Sequence, residues 1–275
     1  MPAPRPLTRL LVALTLAVLV LAGCRQGPGA GPEAGPDSDP RQVDALPAPE
    51  LGACRRLTPQ DVAAATNATR TVDCREPHTA QTYAVGTMPG ALADAGYDDR
   101  AVGAFAYDTC SKRFLRFLGA DESLSMRTVL SWAWFRPSPA AWEQGARWYR
   151  CDVVGGTAQS TQYAALPTTA KGLFRAKPPE QWLTCAQGPT VLKSTKVPCT
   201  QKHDWRAVTT IKLGGPTDPY PGDRLVQVRS RDYCSDSVWA WSNYPVDYEF
   251  GYTWFHEAEW KAGNRRSICW AKTPT

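Results

Sequence analysis

Eight of the nine cysteines fall into two sets of four with matching surroundings, and this repetition constrains the fold more than any other sequence feature. Segment 72–78 corresponds to segment 197–203, with the same interval between a cysteine and a following histidine. An Asp-Arg pair precedes a Cys-Ser pair by the same interval in segments 99–111 and 223–235. So many matches in the same order predict two homologous domains in tandem.

The repeat divides the chain into five parts. Residues 10–20 are an apolar run behind Arg5 and Arg9, too short for a comfortable membrane span. The sequence therefore predicts a signal peptide (1–23), a disordered Pro/Gly-rich tether (24–50), a first repeat (51–165), a linker (166–178) and a second repeat (179–275).

The end of the apolar run, Leu21-Ala22-Gly23-Cys24, resembles the lipobox of bacterial lipoproteins. This resemblance implies cleavage before Cys24 and attachment of diacylglycerol to its thiol. We therefore expect the mature chain to be anchored by lipid at the outer face of the cytoplasmic membrane. We expect the chain to contact the membrane through this lipid anchor.

The remaining eight cysteines are an even set in a chain expected outside the cytosol, so we expect disulfides. Confinement to each repeat leaves nine of the 105 possible pairings open. We predict sequential pairing: Cys54 with Cys74, Cys110 with Cys151, Cys185 with Cys199, and Cys234 with Cys269.

Within each repeat, the hydrophobic pattern indicates a small α+β unit. Residues 204–213 alternate polar with apolar side chains and are rich in β-branched residues, which predicts a strand. We expect further strands over 79–85, 127–135 and 147–154. Apolar residues between 99 and 118 follow helical spacing, and Gly119 is a typical stop. The predicted fold class is therefore α+β, as two small disulfide-stapled domains.

The motifs V-x-C-x-x-x-H and W-x-x-G-x-R-x-x-x-C, with a helix cysteine between them, occur in both repeats. In this order they resemble the septum formation domain of exported and membrane-anchored actinobacterial proteins. The second repeat departs from the family pattern at Lys202 and Arg206. The resemblance implies that the domain is present twice, and suggests a link to septum formation or wall growth.

No catalytic residue, metal site or cofactor is predicted. His78 and His203 each lie four residues after a cysteine, but close C-x-x-C pairs are absent and disulfide-bonded thiols cannot bind zinc. We expect each histidine to hydrogen-bond the backbone beside a disulfide. An envelope hydrolase or metal-binding protein that uses His78 and His203 is the alternative hypothesis.

The favoured function is a non-enzymatic binding or scaffold module of the cell envelope, with a protein or glycan partner. A net charge of +5 is too small to suggest nucleic acid. Among the tryptophans, Trp134, Trp142, Trp254 and Trp260 recur in both repeats and are expected to be scaffold. Counting along the helix from its cysteine predicts that Trp241 is core, and leaves Trp239 as the candidate partner-binding residue.

Overall fold

Two five-stranded antiparallel sheets, each with one long helix against it, make up residues 38–273, the part of the chain described by this computed structural model. The fold is α+β, as the sequence predicts. The predicted signal peptide and Cys24 lie outside the described residues. Within 38–273, no helix combines the length and apolar character that crossing a membrane requires.

The first half has strands β1 (Cys54–Arg55), β2 (Thr71–Val72), β3 (Ala80–Thr87), β4 (Ser131–Phe135) and β5 (Trp148–Val154). Their order in the sheet is β2-β1-β3-β5-β4. Its helices are α1 (Arg41–Asp44), α2 (Pro59–Ala63), α3 (Arg100–Leu118), α4 (Glu122–Ser125) and α5 (Pro139–Glu143).

The second half has strands β6 (Thr184–Gln187), β7 (Thr195–Pro198), β8 (Trp205–Lys212), β9 (Phe250–Thr253) and β10 (Arg266–Lys272), with helices α6 (Asp223–Trp241) and α7 (Glu257–Lys261). Its strand order, β7-β6-β8-β10-β9, repeats that of the first sheet. The two ladders also share an irregularity, since Tyr83 and Val208 are each skipped in the pairing with the neighbouring strand. The two halves therefore have the same topology.

Helix α3 begins and ends as the sequence predicts. The Asp99 carboxylate accepts a hydrogen bond from the N–H of Ala101 at 2.8 Å, which caps the first turn. Gly119 ends the helix in the left-handed conformation at φ 72°, which a side chain would disfavour. The side chains buried against the sheet recur every four residues, and Cys110 is among them.

In each sheet one face lies against the long helix, and the other faces of the two sheets differ chemically from each other. Because Cys151 faces α3, its neighbours Arg150 and Asp152 face away from the helix, where they form a buried ion pair at 3.0 Å. Thr82 links this pair to Arg55 through its hydroxyl, which donates to Asp152 at 2.7 Å and accepts from Arg55 at 2.8 Å. In the second half the residues matched to this network by register are all apolar, namely Ala186, Ala207, Ile268 and Trp270.

Residues 38–50 of the predicted tether are ordered and pack on the first half, which corrects the expectation of disorder for this part of the chain. The indole of Trp148 donates to the carbonyl of Ala45 at 2.9 Å, and Arg55 donates to the side chain of Gln42 at 3.3 Å. Val43 is buried. The composition of this segment suggested disorder because its few apolar groups cannot form a core alone, but they pack onto a face that the first sheet supplies.

The predicted linker also contributes to the first core. Leu166, Ala170 and Phe174 are buried in it, and the side chain of Gln81 accepts a hydrogen bond from the N–H of Ala170 at 2.9 Å. Trp182, at the start of the second half, packs in the same core. Residues 38–273 therefore belong to one compact unit.

Helix α4 of the first half packs on β8 of the second half. Ser123 accepts a hydrogen bond from Thr210 at 2.9 Å, and Glu122 accepts from Arg266 at 3.0 Å. Backbone hydrogen bonds also join 127–129 to 182–184. The two halves are therefore held together by polar side chains and by a short strand-like contact.

Candidate functional site

The eight cysteines of the described chain form four disulfides, with the sequential pairing that we predicted. Cys110–Cys151 and Cys234–Cys269 attach the long helices to β5 and β10, each of which lies next to an edge strand of its sheet. Cys54–Cys74 and Cys185–Cys199 each join a strand to the turn that precedes a histidine. These sulfur atoms hold the frame and are not available as nucleophiles or metal ligands.

Both histidines of the repeated motif are buried, and each contacts the backbone as expected. The Nδ1 atom of His78 donates to the carbonyl of Glu76 at 2.8 Å, and that of His203 donates to the carbonyl of Gln201 at 2.7 Å. Within residues 38–273, no three or more His, Cys, Asp or Glu side chains cluster as a metal site would require. The contacts of both histidines favour a structural role at the disulfide-fixed turn.

The W-x-x-G-x-R motif forms a structural clamp in each half. The guanidinium of Arg147 lies 4.2 Å from the ring centre of Trp142, and that of Arg265 lies 3.7 Å from Trp260. Each arginine also donates to several backbone carbonyls, among them that of the tryptophan itself. Trp142 and Trp260 are buried. These two positions are scaffold, as predicted.

Trp134 and Trp254 are not at equivalent positions in the two sheets. Trp134 pairs with Cys151, whereas the residue that pairs with Cys269 is Tyr252. The sequence match is therefore displaced by two residues along the strand. Both tryptophans are partly buried and pack beside a core cluster.

Exposed apolar side chains gather at the end of α6 and in the turn that follows it. Trp239 is 42% exposed, Trp241 51%, Tyr244 62% and Val246 99%. We call Trp239, Tyr244 and Val246 the aromatic patch; Trp241 lies about 200° from Trp239 around the helix axis and faces another side. Trp239 is exposed as predicted, and a group of large apolar side chains on the surface of a soluble protein is typical of an interaction site.

The prediction that Trp241 belongs to the core is wrong. Its counterpart by helical position, Phe117, packs on Tyr83 and lies beneath the segment that follows the first sheet, since Phe117 accepts a hydrogen bond from the N–H of Gly172 at 2.7 Å. The last turn of α6 instead bonds to the local turn over Ser242–Tyr244. Helical periodicity cannot show which segment covers a helix end, and here that segment decides burial.

The turn of the aromatic patch has a defined conformation. The indole N–H of Trp239 donates to the carbonyl of Pro245 at 3.1 Å, and the Tyr244 ring meets that indole edge-on at 4.9 Å. Asn243 and Tyr244 both adopt positive φ, at 65° and 58°. Asparagine accepts this conformation readily, but tyrosine does so at an energetic cost, and strain of this kind is concentrated at functional sites. The patch is therefore preorganised for contact.

Trp241 lines a polar hollow of about 510 Å³. Arg206 makes two hydrogen bonds to the carboxylate of Glu180, at 2.6 and 2.8 Å, and Arg127 lies in the same wall. Burial lowers the pKa of Arg127 from its usual value, and the charge of Arg206 lowers it too, against a raising effect from Asp121. Trp241 thus lies beside fixed charged groups.

Sequence reasoning missed Tyr244 and Val246 as site residues. Residues 242–249 show neither the period of a helix nor that of a strand, so nothing predicted which side chains would point outward. The only available signal was turn chemistry, since Asn243 and Pro245 are residues that favour turns. That signal predicts a surface position but not a binding role.

One family of proteins, described as Septum formation, matches residues 51–269 in a single stretch through both halves. The expectation that the family domain occurs twice is not confirmed by this match. Neither a curated protein nor a solved structure matches the chain at a significant level. The match covers most of the chain and includes all four disulfides. The chain therefore belongs to the Septum formation family.

Proposed function

We propose that this protein is a binding module of the cell envelope that captures a protein partner through the aromatic patch and does not turn over a substrate. Its family suggests a role in cell division or in the envelope. The observation that carries the proposal is the exposure of Trp239, Tyr244 and Val246 on and beside a preorganised turn. Tryptophan and tyrosine are the residues that most often anchor protein interfaces.

A protein partner suits the patch better than a glycan does. Val246 is almost completely exposed and has no polar group, so it gains most from entering an apolar pocket on a partner. The indole N–H of Trp239 is already bonded to Pro245, which leaves its ring as the contact surface.

We further propose that Cys24 carries the lipid that holds the chain at the outer face of the cytoplasmic membrane. The lipobox-like sequence Leu21-Ala22-Gly23-Cys24 supports this proposal. The four disulfides support it independently, because such bonds persist in oxidising compartments outside the cytosol. A lipid anchor would leave the folded body free to reach partners within the envelope.

Photo-crosslinking in growing cells tests both parts of this proposal. Val246 is replaced by a photoreactive amino acid in the full chain, and Leu225 is replaced in the same way as a control. Leu225 is 40% exposed on the same helix, but lies about 21 Å from Trp239 along the helix axis. We expect a discrete higher-mass adduct from position 246 and none from position 225.

A second arm repeats the experiment with Cys24→Ser. We expect the chain to leave the membrane fraction, because the lipid anchor is lost. Equal adducts from positions 246 and 225, or none from position 246, would contradict the binding role of the patch. Retention of Cys24→Ser in the membrane fraction would contradict the anchor alone, so the two parts fail separately.

A further inference from the structure

A second site lies in a cleft between the two halves, away from the residues of the aromatic patch. The cleft has a volume of about 500 Å³, within the range of small-molecule sites. Both halves contribute to its walls. The aromatic and charged side chains of these walls include Tyr107, Lys112, Glu122, Trp132, Lys212 and Arg266. Clefts between packed units are preferred places for ligands.

Aromatic rings form one wall of the cleft. Tyr107 on α3 is exposed, and its ring meets Trp132 of β4 at 5.6 Å between centroids and 60° between planes. Trp132 is only partly buried and packs beside the first core, which fixes its position. The wall therefore offers ring surface on which an apolar face of a ligand can stack.

The charged side chains that line the cleft have a positive excess. Its lining includes Lys112, Lys212, Arg265 and Arg266 against the two carboxylates of Asp108 and Glu122, which leaves two positive charges in excess. Glu122 is shared, since it contacts Lys212 at 3.5 Å and Arg266 at 3.0 Å. Arg265 donates to the backbone carbonyls of Gly215 and Pro216. A cleft with this excess attracts anions.

Glu122 competes with such an anion for Lys212 and Arg266. The hydrogen bond from Arg266 holds the pKa of Glu122 below its usual value, with further contributions from Lys212. Glu122 is therefore ionised at neutral pH and occupies the cations that an incoming carboxylate would use. Its removal should strengthen anion binding, whereas removal of Lys212 should weaken it.

We infer that this cleft binds a short anionic saccharide, with a sugar ring against Tyr107 and Trp132 and its carboxylate at Lys212 and Arg266. The C–H face of a pyranose ring is apolar and matches an aromatic surface, while its hydroxyl groups can bond to Ser111, Ser125 and Asn264, which also line the cleft. An acidic peptide would match the cations but would make less use of the aromatic wall. This inference is independent of the partner proposed for the aromatic patch.

Calorimetric titration of the mature chain with trigalacturonic acid tests the inference. We expect saturable binding that weakens at least fivefold in Lys212→Gln and tightens severalfold in Glu122→Gln. The matched control is Lys261→Gln, which removes the same charge from an exposed lysine outside the cleft that pairs with Glu257. Binding should be unchanged in this variant, and melting temperatures should confirm that all variants are folded.

Three comparison ligands show whether the cleft recognises the sugar ring, the negative charge or both together. Chitotriose is neutral, inorganic phosphate has charge without a sugar, and a tri-glutamate peptide has carboxylates without a sugar. We expect each to bind at least tenfold more weakly than trigalacturonic acid. Equal binding of any of the three, no binding of trigalacturonic acid, or equal losses in Lys212→Gln and Lys261→Gln would overturn the inference.

Discussion

Replacing Asp152 with Ala should lower the free energy of unfolding by about 3–5 kcal/mol, because it leaves the buried charge of Arg150 without its carboxylate. Arg150 and Asp152 are both fully buried and lie 3.0 Å apart. Arg55 adds a second buried guanidinium to the same network. Burial lowers the pKa of Arg55 to about 10, with a further contribution from the charge of Arg150. Urea unfolding of the mature chain measures the expected loss.

A double-mutant cycle separates the charge effect from the loss of packing. Asp152→Asn keeps the shape of the side chain and removes its charge, so we expect it to be strongly destabilising as well. Adding Arg150→Met to Asp152→Asn removes the uncompensated charge, and stability should partly recover. A loss below about 1 kcal/mol for Asp152→Ala would show that water or another group compensates Arg150, contrary to the network described above.

Removing a disulfide between helix and sheet should lower the free energy of unfolding nearly as much as Asp152→Ala does. Cys110–Cys151 closes a loop of sequence separation 41, and Cys234–Cys269 one of 35. Chain entropy alone gives about 4 kcal/mol for loops of this size. We therefore expect Cys110→Ala with Cys151→Ala to lower the free energy of unfolding by about 4 kcal/mol, measured by urea unfolding without reductant.

The disulfide between Cys185 and Cys199 provides the matched comparison. Its sequence separation is only 14, which gives about 3 kcal/mol in the same treatment. Its removal also leaves the contact of α6 with its sheet intact, because Cys234–Cys269 remains. A greater loss from removing Cys185–Cys199 than from Cys110–Cys151 would contradict the view that the long helices depend on their disulfides.

Local features of the chain were predictable from sequence, because each has a nearby cause. The matched cysteine contexts gave the division of the eight cysteines into two sets that pair only among themselves, and the apolar spacing before Gly119 gave the extent of α3. The backbone contacts of His78 and His203 also followed from their place beside a disulfide. In each case the deciding interaction lies within the motif or the element itself.

Features that depend on which segment covers a surface were not predictable. The composition of residues 38–50 suggests disorder, but this segment packs on the first sheet, where Val43 is buried and Trp148 donates to the carbonyl of Ala45. Trp241 shows the opposite error, since its helical position suggests burial, yet its exposed fraction is 51%. Both errors arise from long-range packing, about which the local pattern carries no information.

The dissociation constant of the partner crosslinked at position 246 is the most direct test of the binding proposal. We expect Trp239→Ala to weaken binding by about 1–4 kcal/mol, which is roughly 5- to 900-fold, with an unchanged melting temperature because Trp239 is 42% exposed. Leu225→Ala removes an exposed apolar group from the same helix and should leave the dissociation constant unchanged. Equal affinities for the wild type, Trp239→Ala and Leu225→Ala would show that the aromatic patch is not the binding site.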